Sequence, residues 1–396
     1  MKNKKTFLLL ITLSIILAYF AAEIYLPAMP QLQRWLGVST SELQLTISVY
    51  FLGVGTAQFI GGPIIDRFNY RTIAIIMGSV FIIASIYCAA AFTLYQLIIA
   101  RLFQAFSAGI LAIIGRASLT RNFDPNEVTH IYLFVSPILS LSLTFSPLIG
   151  GYLTHYFHWH SVFIASSILG LLLTLLIFFY LPSDKKQFKK IKLHPITIAK
   201  TYFSLVINKT YLSAVCVTTT IFAMQLSYIT ETPFIFSRLN YSSQAIGTFY
   251  ITLSLAFIIG SWLARQLKRR YPYAKLIYIG FAWALLGTLS IYLLTLNGTR
   301  HAYELFLPSI FIGIGNGILI PIGTAKAISI FTDKAGYASG LLSAVNLIAA
   351  AAIASPVNLF TQASARWLAL YMTAILLIGL LTFSVLASKK FSRCAT

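Results

Sequence analysis

Two ionisable side chains sit inside long apolar runs. Glu23 lies in Ala21-Ala-Glu-Ile-Tyr-Leu-Pro27, and Arg101 opens Arg101-Leu-Phe-Gln-Ala-Phe-Ser-Ala-Gly109. A charge at the centre of a bilayer costs about 2.5–3.5 kcal/mol on insertion scales, so such a group faces protein or water. Desolvation favours the neutral form of a carboxyl, and a nearby guanidinium favours the ionised form. Switching one carboxyl between these settings is what coupling to a proton gradient requires. By helical rise, Glu23 lies about 5 Å below the outer edge of the hydrocarbon and Arg101 about 8 Å below it. Facing one cavity at that level, they would form a carboxylate–guanidinium pair. Gln104 lies one turn from Arg101 on the same helical face.

Other polar groups carry weaker signals. Glu231 falls near the outer end of a span and reads as an interfacial carboxylate, with a cavity role as the alternative. Lys326 reads as a snorkelling side chain at an inner end. Tyr25, Tyr50, Gln58, Tyr228 and Asn316 are candidate cavity residues. The alternative for such polar side chains is hydrogen bonding between helices. His155, His158 and His160 share one short outer loop without nearby Cys or carboxylates, and read as solvated rather than as metal ligands. Cys88, Cys216 and Cys394 have no disulfide or zinc spacing.

The elements that hold these residues follow from composition. The 396 residues are 58% hydrophobic and only 10% charged, with a mean hydropathy of +0.83. Soluble chains are about one quarter charged. Apolar runs of about 20 residues, each long enough to cross roughly 30 Å of hydrocarbon, recur along the chain. Spans are expected at about 6–27, 43–65, 72–92, 95–117, 130–153, 161–181, 211–233, 246–264, 275–296, 304–326, 336–358 and 366–387. The basic Met1–Lys5 segment followed by an apolar run resembles a signal peptide. The run continues to Leu26, so it reads as the first span.

The net charge of +20 is distributed unequally. With the amino end inside, the outer loops hold only Arg34, Arg238, Arg300 and Arg366, and Arg101 stays within a span. All other Lys and Arg fall on the inner side. This asymmetry places both termini in the cytoplasm and accounts for the charge without nucleic acid. A Lys-rich loop over 182–210 separates two halves, 1–181 and 211–396. Faint repeats relate them: Gly62…Arg67 to Gly260…Arg265, and Glu23/Pro27 to Glu231/Pro233. The expected fold is all-α: twelve transmembrane helices in two pseudo-symmetric halves of six.

Four motifs make the whole chain resemble the twelve-span drug:proton antiporter branch of the major facilitator superfamily, nearest to its bicyclomycin/chloramphenicol-resistance type. Glu23-Ile-Tyr-Leu-Pro-Ala-Met-Pro30 resembles the family's acidic segment in helix one, with Glu in place of the commoner Asp. Gly62-Pro-Ile-Ile-Asp-Arg-Phe-Asn-Tyr-Arg71 resembles the gating loop between helices two and three. There Asn69 replaces a Gly, and Tyr70 a basic residue. Asn tolerates left-handed backbone angles, so the turn is expected to survive. Arg101 and Gln104 resemble the helix-four motif. Ser146-Pro-Leu-Ile-Gly-Gly151 resembles the end of the antiporter motif of helix five, built on Pro147, Gly150 and Gly151 and lacking the upstream glycines.

The resemblance implies that Glu23 is a proton and cation site and that Arg101 is an essential buried cation. It implies that Asp66, with Gly62, Arg67 and Arg71, latches the inner gate near Gly336, where a helix N-terminus favours a carboxylate. It implies export rather than uptake. No phosphate-binding Gly-x-x-x-x-Gly-Lys-Ser/Thr loop is present, so no nucleotide is expected to drive the cycle. The expected protein is a transporter, not an enzyme. It is a cofactor-free monomer of the bacterial inner membrane, exporting small amphiphilic molecules against protons while its halves rock. The alternatives are an exporter of an endogenous metabolite such as a siderophore or peptide, and a proton-coupled importer.

Overall fold

The computed structural model describes residues 4–67, 69–122, 145–181, 202–331, 335–361 and 364–386, apart from the side chains of 4–7, 62–67, 117, 119–122, 335, 336, 358 and 361. The helices are α1 (Lys4–Glu23), α2 (Thr40–Arg67), α3 (Tyr70–Ala89), α4 (Leu94–Asn122), α5 (145–157), α6 (His160–Tyr180), α7 (Lys209–Arg238), α8 (Ser243–Leu267), α9 (Tyr273–Leu294), α10 (Ser309–Ser329), α11 (Ala335–Ala354) and α12 (Ala365–Leu386). Short helical turns fill several connections. Among the described residues eleven helices are long and apolar enough to cross a membrane. The span expected at 130–153 falls mostly outside the described residues, which enter it only at 145. The protein is thus an all-α, multi-pass membrane protein.

The chain forms two compact units. One holds Met1–Leu193 with Ser242–Thr248, the other His194–Tyr241 with Phe249–Thr396. In the first unit α4 is the hub, packed against α1, α2 and α3, while α6 covers α1 and α3. In the second unit α7 packs against α10, α11 and α12. Large rings fill the interiors: Phe81 and Phe163 in the first unit, Phe236, Phe281 and Phe383 in the second. The outward faces carry Ile83, Phe179, Trp262 and Val385, all exposed, as lipid contact requires.

Local chemistry sets the helix ends. The first span does not run unbroken to 27. Helix α1 stops at Glu23, a 3₁₀ turn covers Leu26–Ala28, and a second helix, Met29–Leu36, continues. Pro27 and Pro30 each stand at the start of a helical piece, where a missing N–H does no harm. The second piece ends at Gly37, which has φ +65° and donates its N–H to the Gln33 carbonyl. Asn69 corrects the expectation of a left-handed turn. Its φ is −62°, and its side chain accepts the Arg71 N–H as the N-cap of α3. Asn here replaces a turn-forming Gly by capping the next helix. Asn208 does the same for α7, accepting from Tyr211.

Two glycines separate conformational from steric demand. A Cβ at Gly37 would meet nothing within 4 Å, so Gly37→Ala tests φ alone. It should cost about 1–2 kcal/mol, read as easier unfolding in mixed detergent–SDS micelles. A Cβ at Gly150 would run into the Ile24 carbonyl on α1's trailing turn. Gly150→Val should cost about 1–3 kcal/mol or more and lower the melting temperature further than Gly37→Ala.

Candidate functional site

Arg101 is wholly buried in the first unit. A buried guanidinium requires compensation, and the structure supplies it without a carboxylate. Nη1 donates to the Ala21 carbonyl at 3.0 Å and to Gln104 Oε1 at 2.8 Å. Ala21 lies in the last turn of α1, where carbonyls lack intrahelical donors and the helix dipole is negative. Gln104 Nε2 then donates to Ser85 Oγ on α3 at 2.8 Å, and Ser85 Oγ donates to the Phe81 carbonyl. Arg101, Gln104 and Ser85 thus form one fixed chain across α1, α4 and α3.

Aromatic rings close the rest of the cage. The guanidinium carbon lies 4.0 Å from the Tyr50 ring centre, 4.8 Å from Tyr25 and 5.9 Å from Phe163. Desolvated cation–π contacts are worth about 2 kcal/mol or more. The rings are themselves pinned. Tyr50 donates its hydroxyl to the Ala18 carbonyl at 2.7 Å. Tyr25 bonds Thr46 Oγ1 at 2.9 Å, and Thr46 donates to the Leu43 carbonyl. Among the described residues, Arg101 Nε and Nη2 have no hydrogen-bond partner.

Glu23 is the last residue of α1, two positions beyond the carbonyl that Arg101 holds. It is 9% exposed. The expected Glu23–Arg101 pair does not form: the hydrogen bonds of Arg101 go to Ala21 and Gln104. The antiporter motif reaches the same place. Gly150 on α5 lies against the Ile24 backbone, next to Glu23, and Gly151 against Ser243 and Gly247. Gly247 in turn faces the Pro147 carbonyl, and residues 242–248 belong to this first unit.

The remaining candidates scatter. Gln58 is not an open cavity group, because its Oε1 accepts from Arg116 Nη2 at 2.8 Å and joins α2 to α4. Arg71 donates to the Phe178 carbonyl and lies over the Phe178 ring, joining α3 to the end of α6. The side chains of Asp66 and Arg67 and the surroundings of Gly62 and Gly336 lie outside what the structure describes. Tyr228 donates to the Leu305 carbonyl at 3.3 Å. Asn316 Nδ2 donates to Gln225 Oε1 at 3.1 Å. Glu231 is fully buried within the protein. Of the loop histidines, His158 Nδ1 accepts from Gln31 at 3.3 Å. His160 Nδ1 donates to the Ala89 carbonyl at 2.7 Å while stacking on Trp159. His155 and His158 are exposed, as solvated loop histidines would be, and His160 is half-buried. No group of three His, Cys, Asp or Glu suited to a metal occurs among the described residues.

Sequence reasoning missed Ser85, Thr46, Phe163, Gln225 and Asn346. None carries charge. Only the helical register of Ser85 on α3 could have hinted at a partner for Gln104.

The family model described as Major Facilitator Superfamily matches residues 11–355. The chain belongs to that superfamily. It is a transporter. Curated relatives include the bicyclomycin resistance protein homolog of Haemophilus influenzae, 23% identical, with 98% of both chains covered. Another is the multidrug resistance protein MdtL of Vibrio parahaemolyticus, 26% identical, covering 87% of this chain and 86% of the relative. A solved D-xylose-proton symporter superposes with TM-score 0.75 at 14% identity, with 97% of each chain covered, which concerns the fold alone.

Tyr50 separates ring from hydroxyl. Tyr50→Phe keeps the face over Arg101 and loses one hydrogen bond, about 1 kcal/mol. Tyr50→Leu also loses the cation–π contact and should cost about 2 kcal/mol more. Thermal melting of the purified variants should rank wild type, then Tyr50→Phe, then Tyr50→Leu.

Proposed function

We propose that this transporter exports small amphiphilic molecules in exchange for protons by alternating access, with Glu23 as the coupling carboxylate. The observation that carries this reading is the separation of the two deep charges. Arg101 is compensated by a carbonyl, an amide and rings, so no ion pair holds Glu23 in its charged form. Glu23 ends a broken helix inside a membrane span, where a carboxyl can take a proton or face a cationic ligand without first parting from a guanidinium. Arg101 then acts by holding the last turn of α1. The relatives named for multidrug and bicyclomycin resistance support drug-type substrates.

In this reading twelve spans cross the bacterial inner membrane with both termini inside, the Asp66 loop gates the inner side, and the protein works as a monomer. The outer proton enters at Glu23 as substrate leaves outward. The proton departs inward as the next substrate binds.

Purified protein in weakly buffered detergent should release protons when an exported cation such as tetraphenylphosphonium is added. Glu23→Gln should abolish that release while the ligand still binds. Undiminished release, or undiminished gradient-driven export by the variant in vesicles, would remove Glu23 from the mechanism.

A further inference from the structure

We infer that the turn between α8 and α9 binds an anionic phospholipid of the inner leaflet, with the headgroup on a cluster of cations and an acyl chain along α8. The inference rests on the orientation proposed above, with the end of α8 inside, and not on what is exported.

Arg265, Lys268, Arg269, Arg270 and Lys275 crowd one short stretch of chain, and all of them are exposed. Among the described residues none of these side chains makes a hydrogen bond or an ion pair. Lys275 Nζ lies 4.2 Å from the Tyr271 ring centre, which keeps it beside the turn. The backbone groups the rest. Lys268 N–H donates to the Ala264 carbonyl, and Tyr271 N–H to the Leu267 carbonyl, so the chain turns sharply as α8 ends. Between Glu231 and Asp333 the sequence has a single acidic residue, Glu304. Glu304 precedes α10, whose last turn is the end that reaches α9, through Lys326 over the Tyr273 ring. It therefore lies at the opposite end of the unit and does not neutralise the cluster.

A bias of Lys and Arg sets orientation. It does not require so many like charges at one turn, where they repel one another. An anion removes that repulsion. The surface leading to the turn selects a lipid over a free anion. Leu255, Ile259 and Trp262 follow one another at i, i+4 and i+7, so they share one face of α8. They are 48%, 50% and 59% exposed. This apolar stripe is about 10 Å long, and Arg265 follows Trp262 by one helical turn. Indole rings favour the level of the headgroups. An acyl chain on the stripe brings its phosphate to Arg265 and the turn beyond it. Cations grouped just past a span attract anionic lipids, each strengthening binding about fivefold.

The test uses full-length protein in phosphatidylcholine bilayers containing phosphatidylglycerol brominated on its acyl chains. Bromine quenches the Trp262 indole on contact, so quenching reads the lipid that occupies the stripe. Brominated phosphatidylglycerol should outcompete brominated phosphatidylcholine about tenfold or more, and Trp262→Phe should remove the selective quenching. Arg265→Gln should reduce the preference about fivefold, and adding Arg269→Gln should bring it near parity. The same two positions changed to Lys should keep it. Neither Gln variant should alter the melting temperature in phosphatidylcholine alone, because no bond within the protein is lost. Equal quenching by the two lipids in the wild type, or a preference that survives the double Gln variant, would overturn the site. Displacement by an equal concentration of inorganic phosphate would overturn its assignment to a lipid. An impermeant maleimide should label Arg270→Cys in inverted vesicles and not in intact cells. Labelling in intact cells would overturn the proposed orientation and the inner-leaflet assignment with it. Absence of lipid preference together with labelling only in inverted vesicles would overturn the site alone.

Discussion

The first unit is organised around one buried positive charge that has neutral company. Desolvating a guanidinium costs several kcal/mol, and an ion pair repays this only with good geometry and complete hydrogen bonding. Here the compensation is spread over a helix-end carbonyl, an amide and aromatic faces. Each of those partners is held by a further bond, from Gln104 to Ser85, Tyr50 to Ala18 and Tyr25 to Thr46. Four helices meet through this network.

Neutral compensation also decides what Glu23 is free to do. A carboxylate locked to Arg101 would need that bond broken in every cycle. The Glu23 carboxyl, two residues beyond the Ala21 carbonyl that Arg101 holds, makes no ion pair with it. The close approach of Gly150 to Ile24 places the backbone of α5 against the same turn.

Much of the fold was legible in the sequence because lipid imposes a simple rule. Apolar length marks the spans, and the Lys/Arg asymmetry sets their expected direction. Expected spans such as 95–117 and 161–181 lie within a residue of Leu94–Arg116 and His160–Tyr180. The placing of Arg101 and Glu23 inside apolar runs was readable for the same reason. Their partners were not. A search for compensation in a sequence looks for opposite charge, and rings, carbonyls and a serine on another helix carry no such mark. Gln58 and Asn69 misled in a related way: a polar residue in a span or a turn has several competing uses, and tertiary neighbours choose among them. The break in the first span was signalled by Pro27 and Pro30, yet hydropathy alone runs straight through it.

That break has a further consequence. Pro27 has no amide hydrogen, so the main-chain carbonyl of Glu23 lacks the donor that a continuous helix would place four residues on. Backbone and side-chain oxygens of one residue are therefore both left to find partners at the same point within an apolar span. Hydrocarbon cannot satisfy them and water can. A single imino acid thus gathers two unsatisfied oxygens of one residue at one point of the chain.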